Sequence, residues 1–115
     1  MAREAPAPIQ ARRENYVAKL ASFFAAATPV RIPVRLTRLG TGDVFSESTV
    51  IEFATPREVL FACAAPLEFA DRIHLKNSDG SLDVEATVVA VQYHEEKTAV
   101  AARFTRDVAN WIVKP

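Results

Sequence analysis

Two apolar runs between Phe45 and Cys63 are split by only four residues, Ala54-Thr55-Pro56-Arg57. Runs this close, parted by a proline-bearing turn, read as two antiparallel strands of a hairpin. Side chains alternate along a strand. On that rule Phe45, Glu47, Thr49, Ile51 and Phe53 share one face of the first strand. Glu47 is the charged exception and is expected near the strand's open end. On the second strand Val59 and Phe61 share a face with Cys63, and Glu58, Leu60 and Ala62 take the other.

The rest of the 115-residue chain continues the pattern. Val30 to Arg38 alternates, with Val30, Ile32, Val34 and Leu36 facing one way and Arg31, Pro33, Arg35 and Thr37 the other. Pro33 cannot donate to a ladder, so this strand should pair poorly on one side. Gly-marked residues 39–43 form a turn. The loop 64–71 is apolar enough to lie back on the core. Arg72 to Lys76 is a short strand, followed by an Asn-Ser-Asp-Gly turn. Leu82 to Tyr93 is long and β-branched. Leu82, Val84, Ala86, Val88 and Ala90 form one of its faces; Val89, Val91 and Tyr93 make the other apolar too, so this strand needs cover on both sides. Thr98 to Phe104 returns as a strand with Val100, Ala102 and Phe104 inward. Residues 107–111 allow one helical turn, and Trp111, Ile112 and Val113 are too apolar for a free tail.

Six strands at even spacing favour a closed antiparallel β-barrel over an open sheet, because closure removes exposed edges. A ferredoxin-like topology would need a second long helix between strands. The one long helical pattern precedes the strands. In residues 12–28, Tyr16, Leu20, Phe23, Phe24 and Ala27 recur at three and four as one apolar stripe, and Thr28-Pro29 stops it. This helix is the available cover for the strand of residues 82–93. Residues 1–11 alternate Ala and Pro and are expected to form a flexible tail. The expected organisation is therefore a tail (1–11), an amphipathic helix (12–28) and a barrel (29–115).

Composition excludes several functions. Lys plus Arg and Asp plus Glu number 14 each, so the broad basic footprint of a nucleic-acid binder is missing. Cys63 is the single cysteine, which rules out an internal disulfide, leaves a cysteine metal site without partners, and points to the cytoplasm. There is no apolar run of membrane-spanning length and no secretory signal pattern. His74 and His94, the two histidines, sit at polar positions read as solvated, and no cofactor or metal is expected. Ser46 and Ser48 flank no nucleophile motif, a phosphate loop is absent, and Glu95-Glu96 reads as a solvated turn. The chain is read as a non-enzyme. Arg31 and Arg35 lie four apart on one side of a strand, where they could bracket a phosphate. Arg12 and Arg13 are a second basic pair.

The order of Pro33-Val34-Arg35-Leu36, then Phe45-Ser46-Glu47-Ser48-Thr49, then Ala65-Pro66-Leu67, then Ile73-His74-Leu75-Lys76-Asn77, resembles the PilZ domain family over residues 30–112. Each match is common by itself, and the specificity lies in their order. The resemblance implies a six-stranded barrel and cyclic di-GMP as ligand, bound through an RxxxR motif before the barrel and a [D/N]xSxxG motif on it. Arginine suits the phosphates and stacks on guanine, and a small polar motif lets backbone approach the base.

The chain departs from both motifs. Glu52, Ala54 and Arg57 stand where the acidic or amide residue, the serine and the glycine belong, and the RxxxR, Arg31 to Arg35, lies within a strand. The candidate ligand residues are Arg31, Arg35, Glu52 and Arg57. The expected function is a PilZ-like, non-catalytic regulatory domain with a degraded ligand motif. It would act through a protein partner or through self-association by its N-terminal helix. A working cyclic di-GMP receptor and a nucleic-acid-binding small barrel are the alternatives.

Overall fold

The computed structural model describes residues 16–40 and 45–114. The expected tail, and Arg12 and Arg13, lie outside them. Six strands follow one short helix (α1, residues 16–21): β1 (Thr28–Arg38), β2 (Ser46–Ala54), β3 (Glu58–Cys63), β4 (Arg72–Lys76), β5 (Asp83–Tyr93) and β6 (Thr98–Phe104). They close into a barrel in the order β1-β2-β3-β6-β5-β4, with every neighbouring pair antiparallel. Each strand thus has a neighbour on both sides, as the even strand spacing leads one to expect.

The inward faces of β1 and β3 are those the alternation assigns. Val30, Ile32, Val34 and Leu36, with Val59, Phe61 and Cys63, pack in the barrel interior with Ile73, Leu75, Ala86, Val88, Val100 and Ala102. Pro33 escapes its missing donor because the β1–β4 ladder starts only at Arg35.

Two faces differ from the expectation, and both have the same cause. The β2–β3 register shifts between Ile51 and Phe53, and the β5–β6 register shifts between Val88 and Ala90. A bulge adds one residue and reverses the inside and outside of everything after it. Phe53 therefore turns outward and Ala54 inward, while Ala90 turns outward and Val91 inward. On the outer surface Phe53, Val89 and Ala90 join Leu60, Ala62, Ala99 and Ala101 in a second apolar cluster. Small alanines there let a helix approach closely. Val17, Leu20 and Ala21 of α1 are buried against this patch, so α1 is the outer cover that β5 requires.

The helix ends earlier than the expected Thr28. After Ala21 the backbone tightens into turns, with Phe23 N–H donating to the Leu20 carbonyl and Phe24 N–H to that of Ala21. The 3.6-residue phase is lost, so Phe23 leaves the stripe and is 74% exposed, while Val17 and Ala21 replace it. Of the apolar C-terminal residues, Trp111 is buried and Val113 half-buried, but Ile112 is exposed. Residues 107–111 form a turn rather than a helix, with Asn110 at a φ of 61°. In the loop after β3, Leu67 enters the core and Phe69 does not. Tyr93 faces solvent and donates its hydroxyl to the Leu67 carbonyl at 2.7 Å.

Leu60 is the fully buried centre of the outer cluster. Leu60→Ala should cost about 2–5 kcal/mol of unfolding free energy in urea titrations, through lost burial and the cavity left under α1.

Candidate functional site

The turn joining β2 and β3 is where the resemblance puts ligand recognition, and Thr55 organises it. Its hydroxyl accepts from the N–H groups of Arg57 (3.1 Å) and Glu58 (2.8 Å) and donates to the Glu58 carboxylate. Its own N–H donates to the Glu58 carbonyl at 2.9 Å. Its carbonyl accepts the indole N–H of Trp111 at 2.8 Å. Pro56 has no N–H to offer. Every backbone donor from Thr55 to Glu58 is thus already used.

The surroundings tighten the turn further. Trp111 packs edge-on against Phe104, with ring centroids 5.1 Å apart. Phe104 N–H donates to the Arg57 carbonyl at 2.9 Å. The Arg103 guanidinium holds Glu58 at 2.7 Å. At the other end of the hairpin Glu47 is indeed at the open end. Its carboxylate accepts from the N–H groups of Ala64 (2.9 Å) and Ala65 (3.1 Å), where β2 and β3 have parted.

The four candidate ligand residues spread over this surface. Glu52 sits half-buried at the β2 bulge, with Ala54 buried inside the barrel. Arg57 is exposed on the turn. Arg31 is exposed in the irregular stretch of β1 between Pro29 and Ile32. Arg35 lies further along β1, opposite Ser48 of β2 and Lys76 of β4. From the turn end of β1, where Thr28 pairs with Ala54, to Arg35 is seven residues, or roughly 20 Å. Arg35 and Arg57 therefore cannot share one phosphate.

The histidines are less solvated than expected. His94 stacks on Tyr16 of α1, with centroids 4.0 Å apart at 20°, and its Nε2 is buried. His74 Nε2 lies 2.5 Å from Asp83 Oδ1. This hydrogen bond is the main cause that holds the Asp83 carboxyl below the usual carboxylate range. Burial, followed by the Glu47 carboxylate, pushes the Cys63 thiol up from 9.0 to about 12. Among the described residues no three His, Cys, Asp or Glu side chains gather as a metal site, and no helix is long and apolar enough to cross a membrane.

Comparison with known proteins adds no further constraint: no family model, no curated protein and no solved structure matches the chain.

Lys76 was not foreseen as a site residue. Its pairing with Arg35 depends on the β1–β4 register, which no local sequence signal announces.

Two outcomes test this geometry. Thr55→Val keeps the shape but strands the N–H groups of Arg57 and Glu58, and should lower stability by about 1–3 kcal/mol in urea denaturation. Cys63 holds its proton more tightly folded than unfolded. Its contribution is full below pH 9.0 and is lost as pH rises towards about 12. Iodoacetamide at about pH 8 should label Cys63 only after the protein is unfolded.

Proposed function

We propose that this chain is a PilZ-like, non-catalytic regulatory barrel that acts by contact with another protein and does not take cyclic di-GMP in the manner usual for that family. The observation that supports this best is the Thr55 turn. A base or phosphate approaching it finds its N–H groups engaged by Thr55 and Glu58, its carbonyls engaged by Trp111 and Phe104, and the bulky side chain of Arg57 where a glycine would allow close approach. Trp111 and Phe104 of the chain itself thus take up carbonyls that a ligand would otherwise meet.

A protein partner fits what remains open. The apolar stripe of α1 is spent on its own barrel. Large apolar side chains stay exposed at Phe23, Phe69 and Ile112. Isolated exposed apolar groups are ordinary, so the partner reading leans on the closed turn more than on them.

Calorimetric titration with cyclic di-GMP provides the test. The wild type and Arg57→Ala should behave alike, with no binding that depends on Arg57 or Arg31. Micromolar binding abolished by Arg57→Ala or Arg31→Ala would establish the chain as a cyclic di-GMP receptor and end the proposal.

A further inference from the structure

The outward face of β2, β1 and β4, beside the β4–β5 turn, holds a cavity of about 490 Å³. That is the size of ordinary small-molecule sites, which run from about 300 to 1,000 Å³. Arg35 and Lys76 stand in its wall as a directly opposed cross-strand pair. Like charges placed this way repel, since side chains opposite each other on antiparallel strands begin only about 5 Å apart. The Asp83 carboxylate on β5 offsets part of the Lys76 charge. Neither side chain forms a salt bridge among the described residues. Asp83 faces Lys76 from β5, yet its carboxylate is turned to His74.

The remaining lining completes a recognisable chemistry. Ser48 lies across from Arg35 on the other side, so a hydroxyl and two cations form one row over three strands. Ser78 adds a second hydroxyl from the turn, and Pro33 gives a flat apolar wall. A guanidinium fork, an ammonium group and hydroxyls together match a phosphate dianion. The apolar wall and the stem of Arg35 match a planar organic body.

We propose that this groove binds a small phosphate monoester of nucleotide size, with the phosphate between Arg35 and Lys76 and the organic body against Pro33. The groove lies roughly 20 Å along the strands from the Thr55 turn, so this site goes beyond the regulatory reading above and stands without it.

The test titrates adenosine 5′-monophosphate and inorganic pyrophosphate into the full chain, followed by calorimetry and by amide chemical shifts. The variants are Arg35→Gln and Lys76→Gln, with Arg57→Ala as the control outside the groove. Saturable binding of the nucleotide is expected in the wild type and in Arg57→Ala. Either groove variant should weaken it by about tenfold or more, because each removes a charged hydrogen-bonding partner of the phosphate. Pyrophosphate binding shows that the cations alone hold an anion, and nucleotide binding tighter than that of pyrophosphate shows that the wall contributes. Melting temperatures measured without ligand separate binding from folding: relief of like-charge repulsion should leave Arg35→Gln at least as stable as the wild type, and Lys76→Gln, which also gives up its attraction to Asp83, should stay folded. No saturable binding of the nucleotide by about 10 mM, whether or not pyrophosphate binds, or nucleotide binding that both groove variants keep within about twofold, overturns the proposal.

Discussion

A ladder of four residue pairs between β1 and β4 turns the sheet into a cylinder. Arg35 to Arg38 pair with Lys76 to Ile73 in antiparallel register. The ladder is held from inside by Leu36 against Leu75, both fully buried. It is stapled at one end by Leu39 N–H donating to the Arg72 carbonyl at 2.8 Å, and by Arg38 Nη2 at 3.3 Å from Asp71. Without it β1 and β4 would each present an unpaired edge, the condition antiparallel proteins most need to avoid. The same register sets Arg35 against Lys76 on the outside. A buried leucine pair outweighs the repulsion of two solvated cations, since full burial of a leucine is worth about 1.5–3 kcal/mol and exposed charges interact by about 1 kcal/mol or less. The fold thus tolerates a charge arrangement that favours an anion.

Closure creates a second demand. β3, β5 and β6 carry apolar residues on both faces, and a cylinder can bury only one of them. The two bulges reshape the outer apolar surface by turning out Phe53 and Ala90 at the place where Leu60, Val89, Ala99 and Ala101 already face outward. α1 is the complement to that surface. Most helical stability in proteins comes from packing an apolar face rather than from propensity. Its place comes from Val17, Leu20 and Ala21 being buried on the barrel, and from Tyr16 stacking on His94.

Strand number, strand limits and closure were legible because alternation is a strong local signal. The faces after Ile51 and after Val88 were not. A bulge leaves no mark when the extra residue is an ordinary Glu52 or Val89 rather than a glycine, and one slip inverts the rest of the strand. The end of α1 was misread for a different reason. Residues 22–27 contain no helix breaker, yet the chain must leave the barrel wall to begin β1 at Thr28, and tertiary geometry overrides propensity. Among the candidate ligand residues, Arg35 stands opposite a second cation, Lys76, which lies on a strand brought alongside by closure.

The same dependence on distant residues governs the turn. By its resemblance alone, Ala54-Thr55-Pro56-Arg57 stands where a ligand loop would carry a serine hydroxyl and a glycine. In the folded chain a hydroxyl is still there, one residue later, but it points into the turn and serves Arg57 and Glu58. Trp111, 56 residues away in sequence, then closes the Thr55 carbonyl from the opposite side. An incoming ligand would have to replace part-buried hydrogen bonds and the buried one from Trp111, the latter costly to leave unmade at about 1–3 kcal/mol, and would recover them only by reproducing the same geometry. Arg57 offers attraction there as a solvated cation whose pairing is worth little. At the groove the balance is reversed. Among the described residues no hydrogen bond of the Arg35 or Lys76 side chain need be broken, and an anion relieves a repulsion that the barrel's own closure imposes.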